Sequence, residues 1–183
     1  MSDNRRRFIA IHRALRKFYP TTPHGNLARH LLTLAQMISG IVGSKRVDLP
    51  TVASKVYSPS KPESRVKRFS RWITNERIDS ETYYFPYARQ LLANLADQTL
   101  VLVIDGSAIG RGCRTLMLSV VYKNRALPLA WFVASGSRGH FAESDHIALI
   151  EQFFDLLPSS FRLRFCKDFN PRITPIFANF SQC

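Results

Sequence analysis

Apolar positions recur every three or four residues through the first half of the chain, then change near residue 100 to unbroken runs. In RRRFIAIHRALRKFY, Phe8, Ile11, Leu15 and Phe18 share one helical face, with Arg5, Arg6, Arg7, Arg13, Arg16 and Lys17 largely on the other side. That spacing predicts an amphipathic basic helix. NLARHLLTLAQMISGIVGSK carries the period on through Leu27, Leu31, Leu34, Ile38 and Ile41 and predicts the core helix of this half, its end loosened by Gly40 and Gly43. DLPTVASKVYS offers Asp48 as a cap and Pro50 at an early helical position, where a missing amide costs nothing, so a short helix follows. KPESRVKRFSRWITNERI opens the same way with Pro62 and sets Val66, Phe69, Trp72 and Ile73 on one face. Arg65, Lys67, Arg68 and Arg71 cover the remaining faces. One more helix is expected past Pro86, in YYFPYARQLLANLADQ.

The second half reads differently. TLVLVID is continuous and apolar, the pattern of a strand buried on both faces, ending at Asp105 and turning at Gly106. CRTLMLSVVYKNRALPLAWFVAS predicts a hairpin, with one run from Leu116 to Tyr122, a turn at KNR and a second run from Ala126 to Ala134. Pro128 cannot donate to a ladder, so that second strand needs a free edge or a bulge there. SDHIALIEQFFDLLPS predicts a helix capped by Ser144, with Asp145 in its first turn, Ile147, Ile150, Phe154 and Leu157 on one face, and a stop at Pro158. FRLRFC alternates like a short strand, and KDFNPRITPIFANFSQC has no sustained period. The fold class is therefore α+β, with a helical basic region over 1–98 and a sheet-bearing region over 99–183.

Composition sharpens this picture. Of 183 residues, 45% are hydrophobic, enough to bury a core. Lys and Arg outnumber Asp and Glu by 26 to 13, and the excess is concentrated: residues 1–80 hold 16 basic and 5 acidic side chains, residues 81–183 hold 10 and 8. A positive field of this kind favours a polyanion, nucleic acid ahead of an anionic membrane surface, although a solvated basic face would look the same. Cys113, Cys166 and Cys183 are odd in number and far apart, which argues against a disulfide framework or zinc site and fits a reducing cytoplasm. No apolar stretch is long enough for a membrane span, and the basic start lacks the apolar core of an export signal.

Two stretches carry candidate chemistry. The pair of short helices around YSPSKPES, the second of them basic, has the form of a helix-turn-helix-like reader of double-stranded DNA through Arg65, Lys67, Arg68 and Arg71. The same residues would equally suit a solvated helix whose long stems cover apolar surface. Asp105, at the end of a buried strand, would deliver one carboxylate to a sheet edge where a hard cation or a phosphodiester could approach, but an Asp before Gly also simply begins a turn. The glycines at 106, 110 and 112 lack the Lys and Ser/Thr of a P-loop, and His140 and His146 suggest structure rather than a metal or base site.

The wider stretch from Val103 to His140, with DGS, YKNRALPLAW and GSRGH in order and LLP at the end of the following helix, resembles the start of the catalytic core of the DDE transposases of bacterial insertion sequences. The resemblance spans about 60 residues, from Leu100 to Pro158. It implies an incomplete ribonuclease H-like mixed sheet with a helix, two Mg2+ or Mn2+ ions held by three acidic residues, and cleavage and strand transfer at element ends. On that mapping Asp105 is the first catalytic carboxylate and a metal ligand, and Asp168, after FRLRFC, stands where the second is expected, although CKDFN departs from the family's small, glycine-containing setting. Arg111 and Arg114 would contact the DNA backbone. The third residue, a downstream glutamate, has no counterpart, because no glutamate follows Glu151. The resemblance thus implies a cytoplasmic, nucleoid-associated transposase cut short at its C-terminus and impaired in catalysis. The alternative is a non-catalytic DNA-binding remnant that occupies element ends or associates with intact transposase. A second copy is a further expected partner, since an incomplete sheet would expose an edge; no membrane and no small-molecule cofactor is expected.

Overall fold

The computed structural model of the protein describes residues 2–136 and 140–157. Helices α1 (Asp3–Arg16), α2 (Gly25–Ser44), α3 (Leu49–Ser54), α4 (Pro62–Ile73), α5 (Ser80–Tyr83) and α6 (Phe85–Asn94) come first. Strands β1 (Val101–Gly110), β2 (Cys113–Tyr122) and β3 (Arg125–Ser135) follow, then α7 (Glu143–Phe154). The architecture is α+β, with a three-stranded antiparallel sheet in the order β1-β2-β3. The strand expected in FRLRFC, and Asp168 beyond it, lie outside the described residues. Among the described residues no helix is long and apolar enough to cross a membrane.

Local chemistry sets the helix boundaries. Asp48 caps α3 by accepting the Thr51 amide at 3.0 Å, as its position ahead of Pro50 predicts. Asp79 does the same for α5 at the Thr82 amide, 2.6 Å. α7 departs from expectation: its N-cap is Ala142 and Ser144 lies inside the helix. Asp145 supplies the end interaction instead, its carboxylate accepting the Ala142 amide at 3.1 Å. α2 is not loosened at Gly40 and Gly43 either; it runs unbroken to Ser44 and ends on Lys45 in the left-handed conformation.

Two buried clusters result. In the helical half, Met37 of α2, Val52, Ala53 and Val56 on or just after α3, and Phe69 of α4 close on one another. Arg7 ties α1 to α2, its Nε donating to the Ser39 carbonyl at 2.9 Å and its Nη2 to the Asn4 side chain at 2.7 Å. The second cluster joins Ala88 and Leu92 of α6 and the following Leu95 to Leu116, Leu118 and Val120 of β2, Leu129 and Ala130 of β3, and Leu149, Ile150 and Phe153 of α7. The buried face of α7 is thus rotated from the expected one: Leu149, Phe153 and the following Leu156 are buried, while Ile147 and Phe154 are only half-buried.

Both hairpins use two-residue turns with positive φ at each position, Arg111 and Gly112 in the first, Lys123 and Asn124 in the second. That handedness matches the twist of the flanking strands. Pro128 sits on an edge strand beside a register shift, with Leu118 paired to Ala130 and Ser119 to Pro128, so Leu129 is the extra residue of a bulge. Both ways of accommodating the proline occur together.

Tyrosine hydroxyls tie distant segments together. Tyr19 donates to the Thr82 carbonyl at 2.6 Å, and Tyr84 to the Pro128 carbonyl while its ring meets Trp131 edge-on at 4.6 Å. Burial first, then Tyr87, pushes the Tyr84 phenol up to about 12; burial, then Tyr83 and Asp79, does the same for Tyr19. The folded state therefore holds these protons more tightly than the unfolded chain, whose tyrosines titrate near ~10. Stability should be intact below that value and fall as pH rises through it toward 12. Urea midpoints measured alongside the tyrosinate absorbance should show this decline, and Tyr84→Phe should flatten it.

Candidate nucleic-acid interface and the Asp105 carboxylate

β1 does not end at Asp105. It continues through Gly106, which pairs with Leu116, to Gly110, and the chain turns at Arg111 and Gly112. Nor is β1 buried on both faces: Leu102, Ile104 and Gly106 are half-buried toward the core, while Val101, Val103, Asp105 and Ser107 are exposed. Strand alternation puts Asp105 opposite Met117 and on the face of β2 and β3 that carries Met117 and Trp131. The Ser107 hydroxyl, two residues on and therefore on the same face, donates to Asp105 Oδ2 at 2.8 Å. Sequence reasoning passed over Ser107 because DGS was taken as a turn; read as a strand, its period of two pairs the residues.

A magnesium ion takes near-octahedral oxygen coordination, usually with more than one anionic ligand when the protein positions it for phosphoryl chemistry. Among the described residues, no group of three or more His, Cys, Asp or Glu side chains gathers to hold a metal. One exposed carboxylate and a hydroxyl do not by themselves fit such an ion. What they offer is a solvent-facing acceptor and donor on an edge strand.

Arg111 and Arg114 are not partners of this carboxylate. Arg111 occupies the tip of the first hairpin, six residues along β1 and its turn, roughly 20 Å away at ordinary strand rise. Arg114 pairs with Ala108 and Ala134, three positions from Met117, and so emerges on the opposite face of the sheet from Asp105. Its guanidinium lies 4.5 Å from the Phe141 ring centroid and donates to the His140 carbonyl, tying β2 to the approach of α7.

The four basic residues of α4 divide in two. Lys67 and Arg71 are exposed. Arg65 is not on the basic surface: it is 8% exposed, and its Nη1 donates to the Val56 carbonyl at 2.6 Å, just past the end of α3. Arg68 is half-buried and donates to Gln36 Oε1 of α2 at 2.6 Å. Burial, then the Arg65 charge, holds the Arg68 pKa below the ordinary guanidinium value. The reason is geometric. α4 packs on α3 and α2, and arginines at three-residue spacing beside Phe69 are drawn under those neighbours, where the backbone carbonyl and the amide accept them.

Arg65→Ala should thus cost about 1–3 kcal/mol by orphaning a buried carbonyl, whereas exposed Lys67→Ala should stay within about 0.5 kcal/mol of wild type. Chemical denaturation of the two variants checks this; equal losses would show that Arg65 bears no structural load.

The remaining cations are concentrated on α1, where Arg5, Arg6, Arg13, Arg16 and Lys17 are all exposed. Among the described residues only two ion pairs form, Arg6 with Asp3 and Arg46 with Asp48, both at the surface. Most of the positive charge is therefore uncompensated within the described structure and available to a polyanion. No family model, no curated protein and no solved structure matches the chain.

Proposed function

We propose that the chain is a transposase-like protein of a bacterial insertion sequence that engages double-stranded DNA through its basic helical half and presents Asp105 as the first carboxylate of a ribonuclease H-like core. The observation that carries the reading is the exposed Asp105 on the first strand of an antiparallel three-strand meander followed by a helix, in a chain whose excess positive charge precedes it. The order of elements is that expected for the opening of such a core. Lys67 and Arg71 remain as DNA contacts on α4; Arg65 serves the fold. With a single carboxylate in place, binding is expected to outlast cleavage, since a metal-assisted phosphodiester displacement needs several oxygen ligands. Asp168 or another molecule would have to complete the set.

The test is incubation of the protein with labelled duplexes bearing the element's terminal repeats, with Mg2+ or Mn2+ added. Retained binding with little or no cutting, unchanged by Asp105→Ala, is the outcome for a non-catalytic element-end binder. Robust metal-dependent cleavage abolished by Asp105→Ala would instead establish the full catalytic activity. Equal affinity for terminal repeats and random duplex, with a steep salt dependence, would remove the element-specific reading.

A further inference from the structure

The end of α1 forms a cationic recess that the α4 surface does not share. We propose that this recess is a phosphate-binding pocket built by the last turns of α1 and the loop through Pro23, and that on the DNA-binding reading above it takes a backbone phosphate of the duplex. A cavity of about 420 Å3 lies there, lined by His12, Arg13, Arg16 and Lys17 on the helix side and by Thr21 and Thr22 on the loop side. Positions 12, 13, 16 and 17 fall on one helical stripe, so their side chains converge instead of spreading around the helix. Hydroxyls opposite the cations supply neutral donors of the kind that complete a phosphate's coordination.

The walls are held by the fold. The chain tightens after Arg16 through the bonds Phe18 N–H to Leu15 and Tyr19 N–H to Arg16. Tyr19 is pinned to the Thr82 carbonyl, and Pro23 is buried. His12 stacks on Phe8, ring centroids 5.7 Å apart and planes 6° from parallel. No carboxylate lines the recess, and none of its cations forms an ion pair among the described residues. Burial, then the Arg16 charge, lowers the His12 pKa, which fits a site short of negative charge. Cations at a helix C-terminus also offset the macrodipole, but that effect would not need the opposing hydroxyls or the recess.

The experiment compares Arg13→Gln/Arg16→Gln with Lys123→Gln/Arg125→Gln, a control losing two charges at the second hairpin turn. Duplex affinity is measured across a salt series, and the His12 ring resonances are followed by NMR as duplex or inorganic pyrophosphate is added. Expected is a tenfold or greater loss of duplex affinity for the pocket variant, a salt slope shallower by about 2, and a control within twofold of wild type. His12 should shift with either ligand in wild type and with neither in the pocket variant. A His12 response to pyrophosphate without duplex binding by the wild type would sustain the pocket and overturn the DNA reading. Equal losses in both variants, or a His12 signal that no phosphate moves, would overturn the pocket and leave the DNA reading standing on its own test.

Discussion

Phe69→Ala should destabilise the protein by about 3–5 kcal/mol, the range for removing a fully buried aromatic ring when the site cannot collapse around the gap. Phe69 is fully buried and shares its cluster with only four other buried residues, Met37, Val52, Ala53 and Val56. α3 is six residues long, too short to hold its shape alone, so the ring is the main apolar body against which α3 and α4 are fixed. The loss is a large fraction of an ordinary domain's stability. Thermal and urea unfolding should show it, with Ile73→Ala as comparator, since Ile73 lies on the same helix but is 58% exposed. Duplex affinity should fall as well, although Phe69 touches no phosphate, because Lys67 and Arg71 lose the helix that places them. A Phe69→Ala protein as stable as Ile73→Ala would mean that α4 is held by something other than its apolar face.

The sequence reveals its element order more readily than its faces. Helical spacing identifies α1, α2 and α4, and the positive-φ turn at Lys123 and Asn124 falls where the apolar runs break. LVLVI cannot say whether one face or two will be covered: an edge position in the sheet leaves Val101 at 56% and Val103 at 42% exposure, and only the strand order decides that. The polar pair Asp105 and Ser107 then looks like a turn when it is the solvent side of a continuing strand. α7 is apolar around much of its circumference, so two overlapping stripes fit it, and packing on β2 and β3 selects the one through Leu149 and Phe153. The candidate site was legible as an exposed carboxylate in a basic chain. That Arg65 would turn inward was not, because a buried guanidinium on a carbonyl leaves the same sequence as an exposed one on a phosphate.

Gly40 and Gly43 look alike in sequence and should behave in opposite ways. A Cβ on Gly40 would lie 2.6 Å from both the Val52 carbonyl oxygen and its Cγ1, and 3.0 Å from Val56. The obstacle includes backbone, so α2 and α3 would have to separate. Gly40→Val should therefore cost about 3 kcal/mol, the upper part of the usual range for overpacking, because a branched side chain extends the clash and gains little helix propensity. A Cβ on Gly43 would meet only the end of the Arg7 guanidinium, a flexible group that can move into solvent. Gly43→Ala gives up the Arg7 bond to the Ser39 carbonyl but gains about 1 kcal/mol of helix propensity, so its net effect should be close to zero. Urea titrations of the two variants separate the cases. If both substitutions are tolerated, the close approach of α2 to the Val52 carbonyl is not what locks α3 in place, and the Phe69 cluster would have to be set by α4 alone.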